Sequence, residues 1–123
     1  MEIPIFKQGE YLIVSIQSVL ADVDLMKLQD NLVTQVGIYH TRGVIMDIGY
    51  LDVIDSFAAR TLRNIAYMVK LRGAEVVIVG IQPDVAYAMV QLGLSLKEVE
   101  TALDLEEGLV LLKQRIKAGR DND

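Results

Sequence analysis

With 123 residues, 52% of them hydrophobic and only two prolines, the chain has enough apolar material for one packed core and too little length for two. Its 12 basic and 17 acidic residues leave a formal net charge of −5, which argues against nucleic acid and anionic membranes as partners, since both attract clustered Lys and Arg. The absence of cysteine excludes disulfides, thiolate catalysis and cysteine-based zinc sites.

The opening "MEIPIFKQGEYLIV" has neither the basic start nor the long apolar core of a signal peptide. No apolar run reaches bilayer-spanning length, so a cytoplasmic location is the expectation. "IPIFKQGEYLIVSIQ" reads as a hairpin turning at Gln8-Gly9, with Leu12, Val14 and Ile16 on one face of its second strand. Helical spacing follows: Leu25, Leu28, Leu32 and Val36 form one stripe, and Asp22 or Asp24 is placed to cap its start. "VIMDI", Val44 to Ile48, is a short buried strand. A helix from about Ser56 to Arg72 carries Phe57, Leu62, Ile65 and Val69, and ends on a basic turn followed by Gly73.

"AEVVIVGI" is continuously apolar, the mark of a strand covered on both faces. Pro83 opens the next helix and Gly93 closes it; "KEVETA" is an edge strand. The last helix has Asp104 and Glu107 spaced as a capping box, and a stripe of Leu105, Leu109, Leu112 and Ile116. The order β-β-α-β-α-β-α-β-α implies an α/β fold with a mixed, mostly parallel sheet of four to five strands and about four helices. Residues 1–118 are expected to form this single domain, with 119–123 as a flexible tail.

The segment "YLDVIDSFAARTL" leaves the carboxyl end of the "VIMDI" strand and enters a helix N-terminus, the sheet edge where α/β proteins keep their sites. Ser56 is a preferred residue type for a helix cap. The same helix start also tolerates a phosphate, and Arg60 lies one turn further on, with Arg63 a turn beyond. Conventional catalysis finds little support. His40 is the only histidine and sits in a connection; "IDSFA" lacks a nucleophile elbow, so a hydrolase using Ser56 is disfavoured. Neither a dinucleotide fingerprint nor a P-loop occurs. Asp47, Asp52 and Asp55 are near enough in sequence for Mg²⁺, but alternation points Asp47 away from Asp55, and a solvated acidic loop is the simpler reading. A receiver domain would place a phosphate on Asp47, yet its acidic pair and lysine have no counterpart in "VSIQS" and "VETAL". No cofactor, no metal and no enzymatic activity are expected.

Together "VSIQ", "VIDSF", "GIQP" and "LKEVETALDLEEGL" resemble the STAS domain family over nearly the whole chain, and within it the small RsbS-type subunits of bacterial stressosomes. The resemblance implies a non-enzymatic scaffold that assembles with an RsbR-like STAS paralogue into a large particle. It further implies capture of an RsbT-like serine/threonine kinase, release of that kinase on phosphorylation in the general stress response, and resetting by an RsbX-like phosphatase. The family's phosphorylated serine falls on Ser56, with Asp52, Asp55, Phe57, Arg60 and Arg63 as flanking, kinase-binding candidates. The first strand starts almost at Met1, and the helix "DVAYAMVQL" lacks the threonine that RsbR-type subunits tend to carry; both features favour the RsbS type. The alternative within the same fold is a monomeric anti-anti-sigma antagonist that binds an anti-sigma kinase.

Overall fold

A computed structural model of the chain describes residues 3–17, 21–97 and 99–121. Strand β1 (Ile5–Gln8) pairs antiparallel with β2 (Tyr11–Ser15) across a two-residue turn, in which Gly9 takes the positive φ of +60° that a side chain would resist. The chain then alternates through α1 (Asp22–Ile38), β3 (Gly43–Asp47), α2 (Ser56–Leu71), β4 (Glu75–Val79), α3 (Pro83–Gln91), β5 (Glu100–Ala102) and α4 (Leu105–Asp121). The five strands lie in sequence order, β1-β2-β3-β4-β5, and all pairings after the hairpin are parallel. This is the expected α/β fold.

Consecutive parallel strands that advance in one direction by right-handed crossovers place every crossover helix on the same face. The core has that arrangement. Leu12, Val14, Val44, Met46, Ile48, Val76 and Ile78 point to one side, where they pack with Leu28, Leu32 and Val36 of α1, Leu62, Ile65 and Val69 of α2, and Val85 and Met89 of α3. The alternate residues Ile45, Val77 and Val79 point to the other side, against Leu112 and Ile116 of α4. Both faces of β3 and β4 are thereby covered, which is why these strands read as unbroken apolar runs.

Two local expectations are corrected. Neither Asp22 nor Asp24 caps α1: the cap position is Ala21, with no side-chain bond, and the two carboxylates occupy the first turn, where they favour the helix dipole. Leu105 is 38% exposed, because α4 meets the sheet only from Gly108 onward. Helix α4 runs to Asp121, and residues 122–123 lie outside the described residues. The capping box at α4 is half as expected. The Glu107 N–H donates to Asp104 Oδ1 at 2.9 Å, while the Glu107 carboxylate accepts from the Leu103 N–H at 3.2 Å instead of from Asp104.

Candidate functional site at the carboxyl edge of the sheet

The segment between β3 and α2 is held at several points. The Leu51 side chain is buried and its N–H donates to the Ile48 carbonyl at 3.0 Å; Ile54 packs on the edge of the larger core. Around these anchors Tyr50, Asp52 and Val53 face solvent, the first and last being 64% and 59% exposed. The segment ends at Asp55, whose extended backbone (φ −93°, ψ 173°) starts α2 and whose Oδ1 accepts the Ala58 N–H at 2.7 Å.

Asp55 is therefore the N-cap, and Ser56, expected as the cap from its residue type, is the first helical residue. The physical reason lies in the backbone geometry: a cap residue stands half outside the helix with extended dihedrals. A cap side chain reaches the N–H two or three residues on. Asp55 has that extended backbone and reaches the Ala58 N–H, whereas Ser56 already lies within the helix. Ser56 is half-buried on the first turn. Arg60 is exposed one turn along, whereas Phe57 and Arg63 are half-buried. Among the described residues no ion pair joins Asp52 or Asp55 to Arg60 or Arg63, so the acidic approach and the basic flank remain separate. Helix α2 contains Arg60, Arg63 and Lys70 and no acidic residue, in a chain whose net charge is −5.

His40 lies at the opposite end of β3. It follows α1 with φ +50°, closing that helix through N–H bonds from His40 to Gly37 O (3.4 Å) and from Thr41 to Val36 O (3.1 Å). The five-residue strand between His40 and the Ser56 edge spans roughly 16 Å at the usual strand rise, which excludes a serine–histidine pair. Asp47 shares the parity of Ile45, on the α4 side of the sheet, while Asp55 introduces α2 on the other side. Among the described residues no cluster of His, Asp or Glu is arranged to hold a metal ion.

One part of this edge was not anticipated from the sequence. Asp47 Oδ1 accepts the Gly49 N–H at 2.9 Å, and the Gly49 carbonyl accepts from Gln82 Nε2 at 2.6 Å. Gly80, with φ +78°, abuts Gly49 so closely that a Cβ on Gly80 would lie 2.8 Å from the Gly49 Cα. Gly80 and Gln82 belong to "GIQP", so the motif was visible, but its partner loop was not.

Residues 2–108 match the STAS domain family. Among solved structures, a serine-to-glutamate variant of RsbS from Moorella thermoacetica superposes with a TM-score of 0.85 at 32% identity, over 95% of this chain and 99% of that one. A chain from the stressosome, described as a signal integration and transduction hub, gives 0.77 at 32% identity, over 90% and 96% of the two chains. The RsbT co-antagonist protein RsbRA of Bacillus subtilis is 30% identical over 83 residues, 68% of this chain; the match spans 30% of that relative's length. The anti-sigma factor antagonist SpoIIAA shares the fold, with a TM-score of 0.67 at 11% identity. No helix among the described residues is long and apolar enough to cross a membrane. Fold, family match and near-complete correspondence with RsbS agree: the chain belongs to the STAS domain family, as a regulatory domain similar to the RsbS-type stressosome subunit.

Proposed function

We propose that this protein is a cytoplasmic stressosome subunit that holds a serine/threonine switch kinase inactive and releases it when Ser56 is phosphorylated. The observation that carries the reading is the similarity to RsbS across 95% of the chain. The RsbR-type relative is by name a co-antagonist of RsbT, which supports an RsbR-like STAS paralogue in the particle and an RsbT-like kinase as the protein it holds. A phosphatase of RsbX type then resets Ser56. The chain acts as substrate and scaffold, with no chemistry of its own.

The site geometry supports Ser56 as the acceptor. Because Asp55 supplies the cap, the Ser56 hydroxyl is not needed to close the helix and its modification leaves the Ala58 bond in place. A phosphate there meets the positive end of the α2 dipole and stands one turn from Arg60. It also brings about −1.5 to −2 charges beside Asp52 and Asp55. A partner fitted to the neutral Ser56 hydroxyl, beside exposed Tyr50 and Val53, then faces a hydrated dianion.

Intact-mass measurement after incubation with the cognate kinase and ATP tests the assignment: wild type gains one phosphate and Ser56→Ala none. Equal uptake by both proteins refutes Ser56 as the acceptor. Sizing the complex from the source cell tests the scaffold role. A particle of very high mass containing a second STAS protein agrees with it, and a small one-to-one complex with an anti-sigma factor overturns it in favour of a monomeric antagonist.

A further inference from the structure

We infer that Gln82 is a positioning residue for the Ser56 segment, fastening it to the start of α3 so that the placement of α3 and the presentation of Ser56 are coupled. The inference rests on the proposed role of Ser56 and adds a second element to it. Gln82 occupies the N-cap position of α3 yet makes no capping bond. Its side chain instead crosses to the neighbouring loop and donates Nε2–H to the Gly49 carbonyl at 2.6 Å. A carbonyl only accepts, so the amide nitrogen must face it. Helix α3 thus has no side-chain cap, while the amide serves a contact 33 residues away in sequence.

The rest of the cluster gives that contact its rigidity. Asp47 Oδ1 holds the N–H of Gly49 while Gln82 holds its carbonyl, so both polar groups of that residue are fixed. Gly80 and Gly49 touch through their backbones, and at φ +78° Gly80 admits no ordinary side chain. The Gly80 N–H is in turn bonded to the Ala102 carbonyl of β5 at 3.1 Å, and the Ile48 N–H to the Val79 carbonyl at 3.1 Å. The loops after β3 and β4 therefore form one bonded unit at the sheet edge, with the Gln82 amide as the side-chain link between them. Six residues separate Gly49 from Ser56, and the exposed Asp52 and Val53 lie in that interval.

Hydrogen exchange and phosphorylation kinetics on the intact protein test this. Gln82→Met keeps length and removes the donor; Asp47→Ala releases the same glycine from its other side. In both variants the amides of residues 49–55 are expected to exchange about tenfold faster, while those of β3 and β4 keep the wild-type rate and the thermal midpoint moves little. With the cognate kinase, kcat/KM for Ser56 phosphorylation should fall several-fold in Gln82→Met. Unchanged exchange over 49–55 in both variants overturns the clamp. Faster exchange with unchanged phosphorylation of Ser56 overturns the positioning role. If wild-type protein takes phosphate elsewhere than Ser56 while the variants still loosen the loop, the clamp stands and the proposed acceptor fails.

Discussion

Asp55→Ala and Ser56→Ala form a pair whose relative cost is set by which residue caps α2. The Asp55 Oδ1 to Ala58 N–H bond of 2.7 Å is solvent-exposed, and replacing an N-cap aspartate by alanine typically costs about 1 kcal/mol. Loss of the carboxylate from the positive end of α2 adds about 0.3–1 kcal/mol. The sum is about 1.5 kcal/mol, or some 5 °C in thermal midpoint for a domain of this size. Ser56→Ala removes a half-buried hydroxyl that does not cap the helix, at a first-turn position where alanine is well tolerated, so its cost should stay below about 0.5 kcal/mol. Asp55→Asn keeps an acceptor at the cap and should fall between the two. Urea unfolding followed by far-ultraviolet circular dichroism measures all three, with equal m-values as the check that one transition is being compared. A Ser56→Ala protein less stable than Asp55→Ala would refute the assignment of the cap. The outcome also decides how Ser56→Ala is used: a variant that folds like wild type reports on phosphate transfer alone.

Gly108 sits against Val79 Cγ1 with no room for a Cβ, and Val79 is buried, so Gly108→Ala should destabilise by about 1–2 kcal/mol despite alanine's better helix propensity. Adding Val79→Ala should recover part of that loss, and strict additivity in the double-mutant cycle would show that the two residues do not press on each other. At His40, φ +50° favours glycine: His40→Gly should stabilise by about 0.5–1 kcal/mol and His40→Val should destabilise by at least as much, both read from denaturant midpoints. The half-exposed Arg115–Glu100 pair at 2.9 Å should contribute less than about 1 kcal/mol, so Arg115→Ala should scarcely move the thermal midpoint.

The element order was legible because each element carries its own period. Alternation in β2, the stripe of Leu25, Leu28, Leu32 and Val36, and the apolar run of β4 each report burial on one face or two. Caps were less legible. Asp55 and Ser56 are both good capping types, and only backbone geometry decides which one stands half outside the helix. Leu105 was assigned to the packed stripe by spacing, but the depth at which α4 reaches the sheet is set by Gly108, a contact between elements that no local pattern encodes. The Gln82 link was invisible for the same reason. "GIQP" announces a helix start, whereas the Gly49 carbonyl that Gln82 meets comes from a loop brought alongside by the parallel pairing of β3 and β4.

The proposed phosphate on Ser56 would affect fold and binding by unequal amounts, and the inequality fixes where a switch could act. Within the chain the contributions oppose each other. Attraction to the α2 N-terminus and to Arg60 contributes about 0.3–1 kcal/mol each, and repulsion from the exposed Asp52 and Asp55 is of similar size. The net change is small against the 5–15 kcal/mol that stabilises a typical domain, so the phosphorylated protein stays folded. No such cancellation protects an interface fitted to the neutral Ser56 hydroxyl. There a loss of about 3 kcal/mol weakens affinity more than a hundredfold. Ser56→Glu, with roughly half the charge of phosphate, is expected to leave the thermal midpoint within about 3 °C of wild type while reducing capture of the kinase at least tenfold. A variant that loses stability and binding in proportion would place the switch in the fold instead.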